Sequence, residues 1–298
     1  MDAPTPLEPA PPEIARGREV WLKREDLHPE LGSFKWRGAL PAVREFRDER
    51  GARAVVTAST GNHGAATAWA ARELGMEAIV FAPERTSQTK LGRMRDLAAD
   101  VRLIGADVDE AKDLAREFAA DAGLPFFEDG AEPAQFEGYR SIAREILEQL
   151  EPAAVIVPVG NGALFAGIGA ELKERSPGTR RIAVVAEAAP VMALSHEAGH
   201  PVPCDSSDTF ADGLAVRVAI PIAVDTLLPL VDEYVRVSER AIAQAVGDYW
   251  RAGLRVEGSA AAALAALEQV EGPTVLIVTG SNIDDALHAR AVEQPDSF

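Results

Sequence analysis

The sequence predicts an α/β fold in which parallel sheets are covered by helices on both faces. Short β-branched runs recur along the chain, each followed by a glycine-containing turn and an alanine-rich stretch of helical pattern. No repeat of fixed period competes with that alternation. The strand candidates, in order, are 54–57, 78–81, 101–104, 154–157, 182–185 and 274–278. Helical stretches lie between them at 65–74, 87–97, 109–122, 139–150, 238–252 and 259–269. Gly75, Gly123 and Gly253 sit where helix stops are expected.

A chain of 298 residues with 47% apolar composition buries a large core and suits two domains of ordinary size. We expect domain 1–45 with 146–298 as the large one and 46–145 as a small, mobile α/β domain, with the active site between them. Acidic residues outnumber basic ones 47 to 30, and the net charge of −17 repels a nucleic-acid backbone and an anionic membrane. Neither is therefore an expected partner. The single cysteine, Cys204, excludes an internal disulfide framework and any multi-cysteine metal site. The first ten residues lack the basic and apolar regions of an export signal, so a cytoplasmic location is expected.

In open α/β sheets ligands sit at the carboxyl ends of strands. Three such ends carry unusual residues. The stretch Gly160, Asn161, Gly162, Ala163, Leu164 follows a hydrophobic strand and opens a helix, so its backbone N–H groups can meet an anion such as phosphate. It lacks the third glycine of a dinucleotide fingerprint, because Phe165 stands there, and it has no P-loop lysine. A tight packing turn is the alternative. Ser59, Thr60, Gly61, Asn62 and His63 form a second strand-to-helix turn with hydroxyls and amides suited to a carboxylate. For His63 a packing or supporting role is preferred to general-base duty. Thr279 and Gly280 follow the last strand. A lysine, Lys35, stands at a small-residue turn and helix start beside Phe34, where a charge is unusual. Together these features suggest an aldehyde cofactor, pyridoxal phosphate, held as a Schiff base.

His196 and His200 match the zinc-hydrolase spacing H-E-x-x-H, which works only on one continuous helix. Gly199 and Pro201 flank the second histidine and read as a helix end, so the match is read as chance.

These motifs, in this order, resemble the fold-type II pyridoxal-phosphate enzymes of the tryptophan synthase β-subunit-like fold, specifically the serine/threonine ammonia-lyase and serine racemase group. The resemblance runs from Thr5-Pro-Leu7 through Leu22-Lys-Arg-Glu-Asp-Leu27, Gly32-Ser-Phe-Lys-Trp-Arg-Gly-Ala39, Gly61-Asn-His-Gly64, Phe210-Ala-Asp-Gly-Leu-Ala-Val216 and Val256-Glu-Gly-Ser-Ala260 to Thr279-Gly-Ser-Asn-Ile-Asp284. It implies that Lys35 is the Schiff-base lysine and proton-transfer base, with Phe34 beside the cofactor and Asn62 on its 3-oxygen. It further implies that residues 160–164 hold the phosphate, that Ser59, Thr60, Gly61 and His63 bind the substrate carboxylate, and that Glu257 and Thr279 lie near the ring, Thr279 facing the pyridine nitrogen. A hydroxyl there makes a weaker electron sink than a carboxylate, which favours expelling a β-substituent. The activity implied is β-elimination of ammonia from a hydroxy amino acid such as threonine or serine, a carbon–nitrogen lyase reaction, in a homodimer.

The sequence departs from the lyase pattern in places. The loop at 160–163 reads Gly-Asn-Gly-Ala rather than four glycines, and Glu137-Gly-Tyr-Arg-Ser-Ile142 leans toward threonine synthase, so a threonine-synthase-like replacement enzyme remains an alternative. A racemase is another, and Thr60 would then supply the acid or base on the opposite face. Glu187 matches the first ligand of the group's cation site, but Ala193 stands where an aspartate is expected, so no tight metal is expected. A non-catalytic ligand-binding protein of the same fold completes the alternatives. The chain begins almost at the first signature and ends without a regulatory domain, so feedback inhibition is not expected.

Overall fold

The structure, a computed structural model, describes residues 4–298. The described strands are β1 (Leu7–Pro9), β2 (Val20–Arg24), β3 (Ala54–Ala58), β4 (Glu77–Ala82), β5 (Asp100–Leu103), β6 (Ala154–Pro158), β7 (Arg180–Ala186), β8 (Glu233–Val237) and β9 (Thr274–Val278). The helices are α1 (Pro12–Ala15), α2 (Trp36–Arg50), α3 (Asn62–Glu73), α4 (Gln88–Asp96), α5 (Val108–Ala122), α6 (Pro133–Leu147), α7 (Ala163–Arg175), α8 (Val191–Ala198), α9 (Pro221–Leu227), α10 (Glu239–Arg251), α11 (Gly258–Ala265) and α12 (Asp285–Glu293). The expected α/β class holds. None of the described helices is long and apolar enough to cross a membrane.

The chain forms two compact units, one of residues up to 34 together with 139–298, the other of 35–138. The sequence expectation divided it at 45/46 and 145/146 instead. The reason for the difference lies in α2, whose side chains pack within the smaller unit: Trp36 meets Trp69 edge-on at 6.4 Å and Phe46 meets Phe127 at 5.9 Å. The second boundary falls inside α6.

In the larger unit six strands run in the order β1-β2-β9-β6-β7-β8, parallel except for the antiparallel β1–β2 pair. Strands β6 and β9 are apolar and buried along their whole length, as befits a parallel sheet with both faces covered. Three strands were missing from the sequence reading, the three-residue β1 and the charged β2 and β8. β2 contains Lys23 and Arg24, and β8 contains Glu233 and Arg236, so neither reads as a hydrophobic run. The β2 charges are tolerated because each is paired. Lys23, fully buried, donates to the Thr5 carbonyl at 2.5 Å and to Glu145, while Arg24 forms a two-pronged pair with Asp26. Burying a charge without such partners would be prohibitive.

The smaller unit holds the parallel sheet β3-β4-β5, and Val56 of β3 also bridges in parallel to Phe126. Its helix α2 contains Pro41, whose ring nitrogen cannot donate to the carbonyl four residues back. That carbonyl, of Arg37, is approached by Gly138 of α6. A Cβ on Gly138 would lie 2.0 Å from the oxygen, so only glycine fits there.

A buried carboxylate on α7 organises the helical layer of the larger unit. Glu171 accepts from Arg140 Nε at 2.7 Å and Arg144 Nε at 3.1 Å, with Arg175 at 3.4 Å. Burial pushes its carboxyl up, but the hydrogen bonds and charges of Arg144 and Arg140 outweigh that and hold it below the usual range. A depressed folded pKa stabilises above the unfolded value and loses that contribution as pH falls through the folded one. Glu171→Gln is expected to cost about 2 kcal/mol near pH 7, less than a fully buried pair because the arginines reach solvent. The gap between wild-type and variant unfolding midpoints should close as the pH falls through and below the ordinary glutamate range.

Candidate active site

Each unit carries a group of the residues singled out by sequence. In the larger unit the turn after β6 leads into α7 through Gly162, whose φ of +96° is a left-handed conformation suited to glycine. Asn161 Oδ1 accepts from the Ala163 N–H at 3.1 Å, and no side chain caps the helix from Gly162. The turn rests directly on another backbone segment. A Cβ on Gly160 would lie 2.2 Å from the Gly213 carbonyl oxygen, and one on Gly213 would lie 2.5 Å from Ser259 Oγ. Residues 160–164 thus form a backbone cradle at the start of a helix of 13 residues, where N–H groups and the helix dipole favour an anion.

Thr279 immediately follows β9, and its hydroxyl donates to Glu257 Oε1 at 2.9 Å, both residues being buried. Glu257 precedes α11, and its N–H donates to the Gly280 carbonyl at 3.0 Å. A Cβ on Gly280 would meet Glu257 Oε2 at 2.8 Å, so the glycine makes room for the carboxylate. The same segment holds the signature loop preceding α2: the Phe34 N–H donates to the Thr279 carbonyl at 3.0 Å and the Ser281 N–H to the Gly32 carbonyl at 3.0 Å. Phe34 packs against Tyr139 with ring centroids 5.1 Å apart.

In the smaller unit Lys35 immediately precedes α2. Its Nζ donates to Asp129 Oδ2 at 2.5 Å. The other oxygen, Oδ1, accepts from Gln135 Nε2 at 2.6 Å and lies 3.5 Å from His63 Nδ1. Burial alone would raise the Asp129 carboxyl, but the charge of Lys35, with His63 and the hydrogen bonds from Lys35 and Gln135, holds it well below the usual carboxylate range. Burial pushes the His63 imidazole down, against the pull of Asp129. Its Nε2 lies 3.0 Å from Thr57 Oγ1, which itself donates to the Phe127 carbonyl at 2.8 Å. The turn after β3 runs through Ser59, Thr60 and Gly61 into α3, whose first residues are Asn62 and His63. Ser59 Oγ accepts from the Gly61 N–H at 3.1 Å.

The structure therefore brings His63 to Lys35 through Asp129, and Thr279 to Glu257. Sequence reading missed Asp129 and Gln135. Nothing in the local pattern of Phe126-Phe-Glu-Asp-Gly130 distinguishes a carboxylate that meets a lysine 94 positions away from one that faces water. Elsewhere, α8 ends at Ala198 with Gly199 at φ +74°, so His200 lies beyond the helix that carries His196. Glu187 follows β7 and Ala193 is buried in α8. Among the described residues no group of three histidine, cysteine, aspartate or glutamate side chains could hold a metal ion.

Residues 2–280 match the family model described as pyridoxal-phosphate dependent enzyme. The chain is 37% identical over 285 residues to an L-threonine ammonia-lyase of Geobacter sulfurreducens, a match covering 93% of this chain and 71% of the relative. A threonine ammonia-lyase of Thermotoga maritima is 34% identical over 284 residues, covering 93% and 71%. Among solved structures, the processed form of threonine deaminase isoform 2 from Solanum lycopersicum superposes with a TM-score of 0.92 at 33% identity, covering 98% of this chain and 88% of that one. Maize serine racemase superposes with a TM-score of 0.89 at 26% identity, covering 99% and 93%.

Proposed function

Because the chain belongs to the pyridoxal-phosphate-dependent enzymes, we propose that it is a threonine/serine ammonia-lyase, releasing ammonia from a small hydroxy amino acid by β-elimination. The observation that carries this reading is the similarity to threonine ammonia-lyases over more than nine-tenths of the chain.

The cofactor is pyridoxal phosphate, and the residues present fit it. The backbone cradle at 160–164 suits a phosphate dianion, because its glycines let backbone approach closely and it opens a helix of 13 residues whose dipole favours an anion. Lys35 Nζ, held by Asp129, would supply the amine for the aldehyde carbon, with Phe34 immediately before it. A buried hydroxyl, Thr279 Oγ1, supported by Glu257, suits the ring nitrogen. Asn62, first in α3, suits the ring's 3-oxygen. When bound, the cofactor supplies an electron sink for the pair left on the substrate's α-carbon.

The chain's own residues do the rest. The turn at Ser59, Thr60 and Gly61, leading into an uncapped helix start, binds the substrate carboxylate through hydroxyls and N–H groups. Lys35 Nζ takes the α-proton and holds it as an ammonium against the Asp129 carboxylate. His63, kept neutral by burial, braces Asp129 rather than acting as a base. The β-hydroxyl leaves as water by taking up one proton, which the Lys35 ammonium can return, and the released unsaturated amine takes up water to give a 2-oxo acid and ammonia. The same reading places the enzyme in the cytoplasm as a homodimer, supported by the strongly acidic surface and lone cysteine.

The test is the visible absorption of the purified protein loaded with pyridoxal phosphate, recorded with serine, threonine and 3-hydroxyaspartate while 2-oxo acid is assayed. A band that shifts on addition, with oxo acid formed, is expected. A shift without oxo acid would overturn the lyase assignment, and no band at all would overturn the cofactor placement.

A further inference from the structure

The turn at 160–164 keeps its place only as long as the segment it rests on does. Gly160 lies against the Gly213 carbonyl, so close that an added Cβ would come within 2.2 Å of the oxygen. On α11, Ser259 Oγ would meet a Cβ on Gly213 at 2.5 Å, and a Cβ on Gly258 would meet Ala211 Cα at 2.9 Å and the Phe210 ring at 3.1 Å. Three glycines thus let the backbone of 210–213 fill the space between the turn and α11 with no slack. Hydrogen bonds fix where this segment begins. Glu239 Oε2, at the first residue of α10, accepts from the Phe210 N–H and from Thr209 Oγ1, each at 3.0 Å, and Thr209 Oγ1 accepts from the Ala211 N–H at 3.1 Å.

The side chain of Phe210 is held from a distant part of the sequence. Phe298 packs on it with ring centroids 4.4 Å apart and the planes tilted by 48°, within the favourable range for an aromatic pair. Phe298 is itself anchored, because the Arg290 guanidinium of α12 lies over its ring at 4.1 Å and Arg290 Nε donates to Ser297 Oγ at 3.0 Å. Both phenylalanines pack on the core of the larger unit. The nearby pair of Arg240 with Asp296 is exposed on both sides and adds little, which leaves the ring contact as the clamp. We propose that Phe298 is a positioning residue for the cofactor phosphate: by clamping Phe210 it holds the backbone of 210–213 against residues 160–164, and so sets how firmly pyridoxal phosphate is retained. The inference rests on the reading of 160–164 as the phosphate seat.

The experiment measures how fast the holoenzyme releases pyridoxal phosphate, followed as loss of the visible band while alkaline phosphatase destroys whatever is set free. Phe298→Ala is expected to release the cofactor about tenfold faster, and Phe298→Tyr, which keeps the ring, at the wild-type rate. Phe210→Ala should match F298A, and the double variant should be no faster than either, because both changes remove one contact. Leu254→Ala is the control for lost stability. That half-buried side chain packs on the same core but follows the far end of α10, roughly 20 Å along the helix from Glu239, and its release rate should stay within about twofold of the wild type even where its unfolding midpoint falls. Release from F298A no faster than from L254A overturns the proposal, and so do effects of Phe210 and Phe298 that add. Should F298A fail to fold, Phe298→Leu takes its place, keeping apolar volume without the stacked ring: release about threefold faster is expected, and a wild-type rate overturns the proposal. Failure of the phosphate seat itself reads differently, since Gly160→Ala would then also leave retention unchanged. Retention lost in G160A but kept in F298A would leave the seat standing and remove Phe298 from its support.

Discussion

Lys35→Ala is expected to yield a folded protein that shows no absorption band of a lysine-bound cofactor and whose formation of 2-oxo acid falls by about three orders of magnitude or more. Two losses combine in this variant. The amine that bonds the cofactor's aldehyde disappears, and with it the base that removes the α-proton, a role worth about 10²–10⁴ on its own. Folding should survive, because Lys35 sits at the start of α2 without capping it and its removal leaves Asp129 with Gln135. Circular dichroism and the unfolding midpoint would establish that, and stopped assays with threonine and serine would give the rate. Turnover within about tenfold of the wild type would remove Lys35 from the mechanism.

Gly160→Ala is expected to produce the second large effect, on cofactor retention and stability together. The added methyl would start 2.2 Å from the Gly213 carbonyl oxygen, and both contacting groups are backbone, so no rotamer change relieves the clash. Overpacking of this kind costs about 1–3 kcal/mol, and here the upper end is expected. The turn can relieve it only by moving away from Gly213, which displaces the N–H groups of residues 160–164 and should weaken phosphate binding at least tenfold. Gly178→Ala is the control, since a Cβ there meets nothing within 4 Å. Equilibrium dialysis of pyridoxal phosphate and thermal unfolding of both variants provide the comparison. A G160A protein that retains cofactor and stability like G178A would mean that the turn is free to move and is not a cradle.

The fold was largely legible because buried parallel strands are written as uninterrupted apolar runs, as in β6 and β9, and because helix ends need residues that tolerate positive φ. Gly75, Gly123 and Gly253 end their helices at φ of +68°, +64° and +78°. The same logic separated His200 from His196 at Gly199. What escaped were strands whose charges are neutralised from far away. Lys23 reads as surface until Glu145 is placed beside it, 122 residues on. The division into units escaped for a related reason, since the packing of Phe46 on Phe127 is a property of tertiary contact and not of either helix or loop alone. For the candidate site, the strand-to-helix turns that carry Asn62 and residues 160–164 could be located from glycine spacing. The Lys35–Asp129 and Thr279–Glu257 contacts could not, because ion pairs and hydroxyl–carboxylate bonds leave no periodic trace.

The six-stranded sheet ends on one side in β1, only three residues long and closed by Pro9 with Pro6 just before it, and on the other in β8, where Arg236 and Glu233 project charge. A proline offers no N–H to an incoming strand, and a charged outer strand resists the dry stacking that extended pairing requires. Neither border of this sheet is a template for adding another polypeptide segment. Copies of the chain that associate therefore do not do so by extending this six-stranded sheet, and the long apolar strands at its centre stay shielded from the β-aggregation that their composition would otherwise invite.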